Sequence, residues 1–312
     1  MNPPVPHGQG DCFCYEEVAM RKYIYNILTL TAIVCLTLIL ACAPTPTSPP
    51  TPPSPPLPTQ EKPPQQAAPQ EELPTFPITV TDDLGRRVTI QKLPQRIVSL
   101  APSVTEILFA LGLDDRIVGT TDYCDYPEAA KSKTRVSGYS TPDLEKIVAV
   151  QPDLILAESI HENTVLPALE KLGLPVFVTS ATSIDVILRE ITVLGQITGK
   201  SKAAQKLAND MTQRINVVTS RTSALPAKDR PGVLYVVWFN PIWTMGSETF
   251  TDDLIAKAGG TNVFSADFEK ARVVSLEAVV TKNPQVILVS AMATTTDLVY
   301  NSIKKESRLA AV

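Results

Sequence analysis

Aromatic side chains occupy several loops of this chain, at positions where a flat organic molecule could stack against them. Tyr123, Tyr126 and Tyr139 lie in loops that follow predicted strands, and His161 lies in a further loop of this kind. Exposed aromatic rings are costly in water and suit an organic ligand held in a cleft. We therefore expect the tyrosines to line a binding site, with ordinary half-buried packing as the alternative. His161 is expected to be an exposed polar loop residue, with a ligand contact as its functional alternative.

The two tryptophans of the chain stand close together farther along the sequence. Trp238 and Trp243 flank the segment Phe239-Asn-Pro-Ile242, which is predicted to be the loop after a strand at 233–238. Two tryptophans and Phe239 on one loop at a strand end favour contact with a ligand. The alternative is that one tryptophan belongs to a hydrophobic core.

Strands alternate with helices in the region that carries the tyrosines, and this alternation predicts a mostly parallel sheet flanked by helices. A β-hairpin at 78–90 comes first. The predicted strands lie at 96–100, 116–119, 153–157 and 176–179, and the predicted helices at 102–111, 142–150, 161–172 and 183–198. Ligands of such sheets bind beyond the carboxyl ends of the strands. The loops with the tyrosines are at those ends.

A long helix is predicted at 201–223, after the helix stop Gly199 and with Ser201 as its N-cap. Its apolar residues recur at spacings of three and four and form one stripe: Ala204, Leu207, Met211, Ile215 and Val218. Some twenty residues at about 1.5 Å each give a helix of about 30 Å, the width of a small domain. Such a helix is long enough to connect two lobes.

The segments on either side of the long helix resemble each other. Residues 143–157 match residues 275–289, so that Glu145 pairs with Glu277, and a weaker repeat pairs residues 105–110 with 251–256. Each longer segment has the pattern of a short helix, a proline-marked turn and a buried strand. The repeat favours two similar α/β lobes joined by a rigid helix. The alternative is that helix-turn-strand units recur in any α/β protein.

The amino-terminal 77 residues lack the pattern of a packed domain. Residues 1–19 are expected to be a non-translated or disordered extension, with translation starting at Met20. Residues 20–41 carry two positive charges and then an apolar run ending in small residues, which is the pattern of an export signal. Residues 42–77 hold 14 of the chain's 28 prolines and are predicted to be an extended tether.

A cysteine directly after the export signal resembles the cleavage site of a bacterial lipoprotein. This resemblance implies that Cys42 is lipidated and that it anchors the mature chain to the cell membrane, outside the cytoplasm. Only Cys124 then remains as a free thiol, so no internal disulfide framework is expected.

Composition and motifs exclude several classes of function. A net charge of −4 gives no reason to expect nucleic acid as a partner. The chain has no Walker A loop, dinucleotide-binding glycine motif, nucleophile elbow or zinc-protease motif, and one histidine in the folded region leaves little for triad chemistry. We therefore expect neither an enzyme nor a bare metal site, since such sites rely on histidine. A purely structural lipoprotein without a ligand is the remaining alternative class.

Several motifs together resemble the substrate-binding proteins of cobalamin and iron-siderophore ABC importers. The segments are RIVSLAPSVTEILFALG (96–112), DYPEAA (125–130), DLEKIVAVQPDLILA (143–157) and TFTDDLIAKAGGTNVF (249–264). They occur in the order found in the family, and the resemblance covers residues 78–312. It implies an α/β fold of two Rossmann-like lobes, at 78–199 and 224–312. A single bridging helix at 200–223 joins them, and the ligand is held between them.

The resemblance also implies partners and site residues. One glutamate on each lobe docks into arginines of the importer's permease, and by motif these are Glu145 and Glu277. Tyr126, Tyr139 and the Trp238–Trp243 loop fall on ligand-contact positions. The expected partners are the permease, its ATPase and a transported small molecule, with the protein itself a monomer that needs no cofactor.

Cobalamin or another corrinoid is the expected ligand, because the Asp-Tyr-Pro loop and the paired aromatic residues favour it. A ferric siderophore or haem is the alternative. The sequence departs from similar cobalamin binders at 269–274, where no tryptophan precedes the second docking helix. Family members also usually continue beyond a segment like 308–312, so we expect the second lobe to be incomplete.

Overall fold

A computed structural model describes residues 74–290 and 296–309 of the chain, with only the backbone of Thr296. The expectations for the extension at 1–19, the export signal at 20–41, lipidated Cys42 and most of the tether lie outside the described residues. They stay predictions, as does the expected incompleteness of the second lobe.

The first lobe begins with an antiparallel hairpin and continues with a parallel sheet. The hairpin strands are β1 (Ile78–Thr81) and β2 (Arg87–Ile90), as predicted. The sheet has the order β4-β3-β5-β6, and its strands are β3 (Ile97–Ser99), β4 (Ile117–Thr120), β5 (Leu154–Glu158) and β6 (Val176–Thr179). All three pairings in this sheet are parallel, which confirms the prediction.

Helices cover both faces of this sheet. They are α1 (Pro102–Ala110), α2 (Leu144–Ala149), α3 (Leu166–Lys171) and α4 (Ile184–Thr198). One hydrophobic cluster packs α1, α4 and the hairpin against one face, and a second cluster packs α2 and α3 against the other. Burial on both faces explains why the strands consist almost entirely of apolar residues.

The helix expected at 161–172 is shorter than predicted. Residues Ser159–His161 form a 3₁₀ turn, and the α-helix starts only at Leu166, with Pro167 in its first turn. Proline suits the first turn of a helix because it lacks the N–H that a helix interior needs. The segment from His161 to Val165 therefore belongs to a loop at the end of β5.

The bridging helix α5 (Ser201–Thr222) is anchored in the first lobe. Its buried residues Ala204 and Ala208 belong to the core cluster of that lobe, and Leu207 and Met211 pack against the same cluster. The residue before the helix, Lys200, occupies the N-cap position without a side-chain hydrogen bond, so the expectation that Ser201 is the cap is wrong. Among the described residues, no helix is long and apolar enough to cross a membrane.

The second lobe contains a mixed sheet. Its order is β10-β8-β7-β11, with β9 on β7, and its strands are β7 (Gly232–Phe239), β8 (Ile242–Met245), β9 (Thr261–Asn262), β10 (Ala271–Val274) and β11 (Val286–Val289). β7 pairs in parallel with β9 and β11, whereas β8 is antiparallel to both of its neighbours. The helices of this lobe are α6 (Phe250–Lys257), α7 (Leu276–Lys282) and α8 (Thr296–Lys305).

The repeat seen in the sequence is a repeat of structure. Asp143 accepts hydrogen bonds from the first N–H groups of α2, and Ser275 does the same for α7. After these helices, Gln151 and Asn283 adopt the same left-handed conformation, each with φ of 45°. Each unit then enters a strand that pairs in parallel within its own sheet.

The two lobes also touch directly, within the single compact unit formed by residues 67–312. The Asp253 carboxylate on α6 accepts a hydrogen bond of 2.8 Å from the backbone N–H of Ile184, the first residue of α4. Lys257 Nζ lies 3.2 Å from a carboxylate oxygen of Asp185 and 2.9 Å from one of Asp253. A carboxylate at a helix N-terminus is favourable because the unpaired N–H groups there carry partial positive charge. This contact joins α6 of the second lobe to α4 of the first.

The anchoring of α5 depends on a close approach to α4. A Cβ placed on Gly195 of α4 would lie 2.2 Å from the Cβ of Ala204 on α5. We expect Gly195→Ala to lower the free energy of unfolding by about 1–3 kcal/mol through overpacking. This loss outweighs the gain in helix propensity of about 1 kcal/mol. Urea unfolding measures it.

The matched control is the double variant Gly195→Ala with Ala204→Gly, which exchanges the positions of the methyl group. It should recover part of the stability because only one methyl group then remains at this contact. A single variant as stable as the wild type would contradict the proposed role of this contact.

Candidate ligand-binding site

A cavity of about 670 Å³ lies where the first lobe, the bridging helix and the second lobe meet. The first lobe contributes residues that follow strands β3, β4, β5 and β6, and the bridging helix contributes Leu207 and Met211. Phe250, at the start of α6, is the contribution of the second lobe. The cavity is therefore at the carboxyl ends of the parallel strands, where open α/β sheets bind their ligands.

A second cavity of about 620 Å³ shares Ser103 and Glu158 with the first, so the two adjoin. We refer to them together as the cleft. Tyr126 lines the larger cavity, and Tyr123 and Tyr139 line the smaller one. The structure thus brings the three predicted tyrosines to one site. Their role as ligand contacts stays a prediction.

The loop between β4 and the 3₁₀ turn at Glu128–Ser132 presents two of these tyrosines. Cys124 is buried between them, with Sγ 3.2 Å from the hydroxyl oxygens of Thr105 and Thr121. The guanidinium of Arg135 donates hydrogen bonds to the carbonyl oxygens of Thr121 (2.6 Å) and Cys124 (3.0 Å). These hydrogen bonds hold the backbone at Thr121 and Cys124 in place. Tyr123 and Tyr126, on either side of Cys124, are 65% and 66% exposed.

Tyr139, Glu158 and His161 form a connected group at the junction of the two cavities. The Tyr139 hydroxyl donates to Glu158 Oε2. The backbone N–H of Glu158 donates to His161 Nδ1 (3.0 Å), and His161 Nε2 lies 2.6 Å from the carbonyl oxygen of Tyr139. Since Nδ1 accepts a hydrogen bond, Nε2 carries the ring hydrogen and donates a hydrogen bond to that carbonyl. The imidazole thus links the backbones of the two residues whose side chains meet in the cleft.

The expectation that His161 is an exposed residue is wrong. Its side chain is fully buried, and both ring nitrogens are used within the protein. The ring also packs edge-on against Tyr139, with centroids 5.8 Å apart. In this arrangement His161 positions the two cleft residues and does not face a ligand. No pattern in the sequence indicated this, because the hydrogen-bond partners of the ring are backbone groups.

Burial raises the pKa of the Tyr139 hydroxyl well above its usual value, and the hydrogen bond to Glu158 and the charge of that carboxylate raise it further. Tyr139 therefore remains a protonated hydroxyl that donates to Glu158.

Three carboxyl groups line the larger cavity and were not foreseen from the sequence. Glu158 ends strand β5, Glu106 lies on α1, and Glu190 lies on α4. Burial, and then the charge of Asp125, raise the pKa of Glu106. The position of Glu158 at a strand end was the one signal of this group in the sequence.

Glu190 shares a hydrogen-bond donor with a second carboxylate. The backbone N–H of Ser180 lies 2.8 Å from Asp83 Oδ2 and 2.9 Å from Glu190 Oε1. The guanidinium of Arg189 pairs with the other oxygen of Asp83 at 2.5 Å. Burial, together with the hydrogen bond to Asp83 and its charge, raises the pKa of Glu190 to about 8. Glu190 is therefore mostly protonated at neutral pH.

The tryptophans lie on strands and not on a loop, so the expected loop is wrong, whereas their contact with a ligand stays a prediction. Trp238 and Trp243 lie on β7 and β8 and are directly paired across the hairpin. Trp238 packs against the core of the second lobe, its indole N–H donating to the carbonyl of Asn240 (2.8 Å), whereas Trp243 is 42% exposed. The alternative that one tryptophan belongs to a core is confirmed for Trp238. Phe239 lines a separate cavity of about 610 Å³ within the second lobe.

The separate second-lobe cavity differs from the cleft in its charges. Lys305, Glu306 and Arg308 are among its lining residues, whereas none of its described lining residues belongs to the first lobe. Within the part of the chain that the structure describes, no group of three or more histidine, cysteine, aspartate or glutamate residues is placed to hold a metal ion.

The two glutamates expected to dock on a permease are both exposed, each in the first turn of its helix. Glu277 Oε1 lies 3.0 Å from Nη1 of Arg308. The hydrogen bond from its own backbone N–H, followed by those from Ser275 and Arg308, lowers the pKa of Glu277. Glu145 and Glu277 occupy equivalent positions of the structural repeat. Their role in docking stays a prediction.

Comparison with known proteins agrees with this architecture. The sequence matches the family described as periplasmic binding protein over residues 97–312. A vitamin B12-binding protein of Vibrio campbellii is 30% identical over 213 residues, which cover 68% of this chain and 76% of that protein. The solved periplasmic vitamin B12 binding protein of Vibrio cholerae has a TM-score of 0.61 and 30% identity, over 70% of this chain and 84% of that one. A periplasmic heme binding protein from Pseudomonas aeruginosa has a TM-score of 0.63 and 25% identity, over 70% and 80%.

Two α/β lobes, one bridging helix and an open cleft at the strand ends agree with the class of solute-binding proteins, and the matching family and relatives are binding proteins and not enzymes. The chain belongs to the periplasmic binding protein family. This membership identifies it as the binding component of an ABC importer and implies a location outside the cytoplasm.

Glu190 should give the protein a pH-dependent stability. Its pKa is about 8 in the folded protein against an ordinary value of 4.5, so the folded state binds more protons between these values. Protonated Glu190 contributes its full stabilisation below pH 4.5, the ordinary pKa of the group. This stabilisation is lost as the pH rises through about 8, the pKa in the folded protein. Wild-type stability should therefore fall between about pH 5 and pH 8, by at most about 1.4 kcal/mol per pH unit. Glu190→Gln should remove this dependence.

Urea unfolding of both proteins across this pH range is the measurement. Glu162→Gln, which changes an exposed glutamate outside the cavities, is the matched control and should follow the wild type. If the free energy of unfolding depends on pH in the same way for the wild type and Glu190→Gln, the raised pKa assigned to Glu190 is contradicted.

Proposed function

We propose that this protein captures a corrinoid of the cobalamin type in the cleft and delivers it to an ABC importer. The observation that carries the proposal is the pair of adjoining cavities at the strand ends, with three tyrosines in their lining and two of these rings largely exposed. Exposed rings beside an open cavity suit the broad, partly apolar face of a corrin ring. The vitamin B12-binding relatives support the same ligand.

Haem or a ferric siderophore is the second candidate, and the haem-binding neighbour favours it. Among the described cleft residues that could coordinate iron, Tyr123 and Tyr126 are exposed, whereas His161 and Tyr139 are held within the protein. Both ring nitrogens of His161 are engaged, and the Tyr139 hydroxyl is held by Glu158 with a raised pKa. Haem iron in proteins is held by histidine, cysteine, methionine or tyrosine side chains. We rank haem below a corrinoid because the vitamin B12-binding relatives are 30% identical to this chain and the haem-binding neighbour is 25% identical.

Delivery is proposed to use Glu145 and Glu277 as two docking points for permease arginines. Each carboxylate lies on the surface in the first turn of a helix, and the anchored bridging helix fixes one lobe against the other. Two carboxylates at a fixed separation suit recognition by paired guanidinium groups. Lipidated Cys42 would hold the protein at the membrane that contains the permease.

Titration of the full-length protein with cyanocobalamin by isothermal calorimetry tests the ligand. We expect saturation at about one equivalent and a dissociation constant weakened about fivefold to tenfold by Tyr126→Ala, since a stacked ring contributes about 1 kcal/mol. The matched control is Tyr300→Ala, because Tyr300 is an exposed tyrosine on α8 outside the cleft. If the folded protein takes up haem and not cyanocobalamin, the corrinoid assignment is wrong.

Charge reversal of both docking residues, Glu145→Arg with Glu277→Arg, tests delivery. Cellular uptake of cobalamin should fall to background because like charges would then face each other. Binding of the free ligand should be unchanged, since neither residue lines the cleft. The control is Glu128→Arg, which reverses an exposed glutamate on a 3₁₀ turn. Normal uptake by the double variant would exclude docking through these residues.

A further inference from the structure

The charged residues in the described lining of the cleft all have the same sign. Glu106, Glu158 and Glu190 line the two cavities, and no lysine, arginine or histidine is among their described lining residues. Glu190 is mostly protonated at neutral pH, so Glu106 and Glu158 remain as the negatively charged residues of this lining. Burial raises the pKa of Glu106, and the charge of Asp125 raises it further, so this carboxylate is poorly solvated as an anion. A further negative charge brought by a ligand would be repelled.

Two of the arginines near the cleft are paired with other groups of the protein, and a third lies outside the described lining of both cavities. Arg135 donates to the backbone carbonyls of Thr121 and Cys124, and Arg189 is paired with Asp83. Arg214 lines a neighbouring apolar groove of about 410 Å³ between α4, α5 and α6. A carboxylate on a ligand in the cleft would thus find no cation in the lining of either cavity to pair with.

Glu158 is the carboxyl group that the structure positions most firmly. It lines both cavities, the Tyr139 hydroxyl holds one of its oxygens, and His161 binds its backbone N–H. A carboxylate has about four acceptor positions on its two oxygens, so accepting from Tyr139 leaves capacity for further donors. Hydrogen bonds to a charged acceptor are roughly twice as strong as neutral ones.

We propose that Glu158, supported by Glu106, makes the cleft selective for ligands that present amide or amine N–H groups and excludes ligands that present carboxylates. This inference rests on the proposed function and specifies the ligand class within it. A corrinoid whose peripheral groups are amides supplies neutral N–H donors. Haem propionates and carboxylate-bearing iron chelates supply the disfavoured charge.

The test compares two corrinoids that share one ring. Dicyanocobinamide carries amides around the ring, and dicyanocobyrinic acid carries free carboxylates at those positions. The full-length protein should bind the amide form at least about tenfold more tightly, because like charges across an interface are strongly disfavoured. Glu158→Gln should reduce this ratio several-fold, mainly by tighter binding of the acid form. Glu106→Gln should change it in the same direction and is the second variant if Glu158→Gln does not fold.

The control is Glu162→Gln, which removes an exposed carboxylate outside the cavities and should leave the ratio unchanged. Equal binding of the two corrinoids, or an unchanged ratio in both cleft variants, overturns the inference. If only haem binds, the corrinoid function fails, and the comparison is repeated with haem and its bis-amide. Preference for the bis-amide then upholds the charge selectivity, and preference for haem overturns it. A folded protein that binds neither these four compounds nor cyanocobalamin overturns both proposals.

Discussion

The arrangement of the two lobes depends on how tightly the bridging helix is held by the first of them. Gly195 lets α4 and α5 approach until an added methyl group would collide with Ala204, and Ala204 and Ala208 are thereby buried in the first core. At its other end, Thr222 of α5 donates a hydrogen bond of 2.7 Å to the carbonyl of Lys257 on α6. A helix fixed at both ends acts as a rigid spacer. The position of Phe250 in the cleft therefore depends on the contacts at the two ends of α5.

Positions in the cleft are set by backbone hydrogen bonds more than by contacts among side chains. His161 joins the backbones of Tyr139 and Glu158, and Arg135 holds the carbonyls of the loop that carries the exposed tyrosines. Buried polar groups such as these are stable only when their hydrogen bonds are satisfied. The outcome is an open site whose polar residues are already oriented before any ligand arrives, which reduces the entropy lost on binding.

Periodicity and repetition in the sequence were enough to predict most of the architecture. The alternation of strands and helices predicted the first sheet, and the match of residues 143–157 to 275–289 predicted two equivalent units that agree even at the left-handed residues Gln151 and Asn283. The predictions that failed concern segments whose structure depends on tertiary contacts. The chain around Trp238 and Trp243 extends into a paired hairpin instead of a loop, because β8 continues the sheet beyond the turn. The carboxyl groups of the cleft were missed because they come from three different elements whose meeting has no signature in the sequence.

The single passage of the chain between the lobes also affects how the protein can fold. Every strand pairing of the first sheet lies within residues 97–179, and every pairing of the second lies within 232–289. Long-range pairings slow folding because distant segments must first be brought together, and among the described strands none pairs one lobe with the other. The first lobe requires only the start of α5 to complete its core, so it has all of its partners before any strand of the second lobe has been synthesised. The bridging helix is then already in place as the surface on which the second lobe assembles.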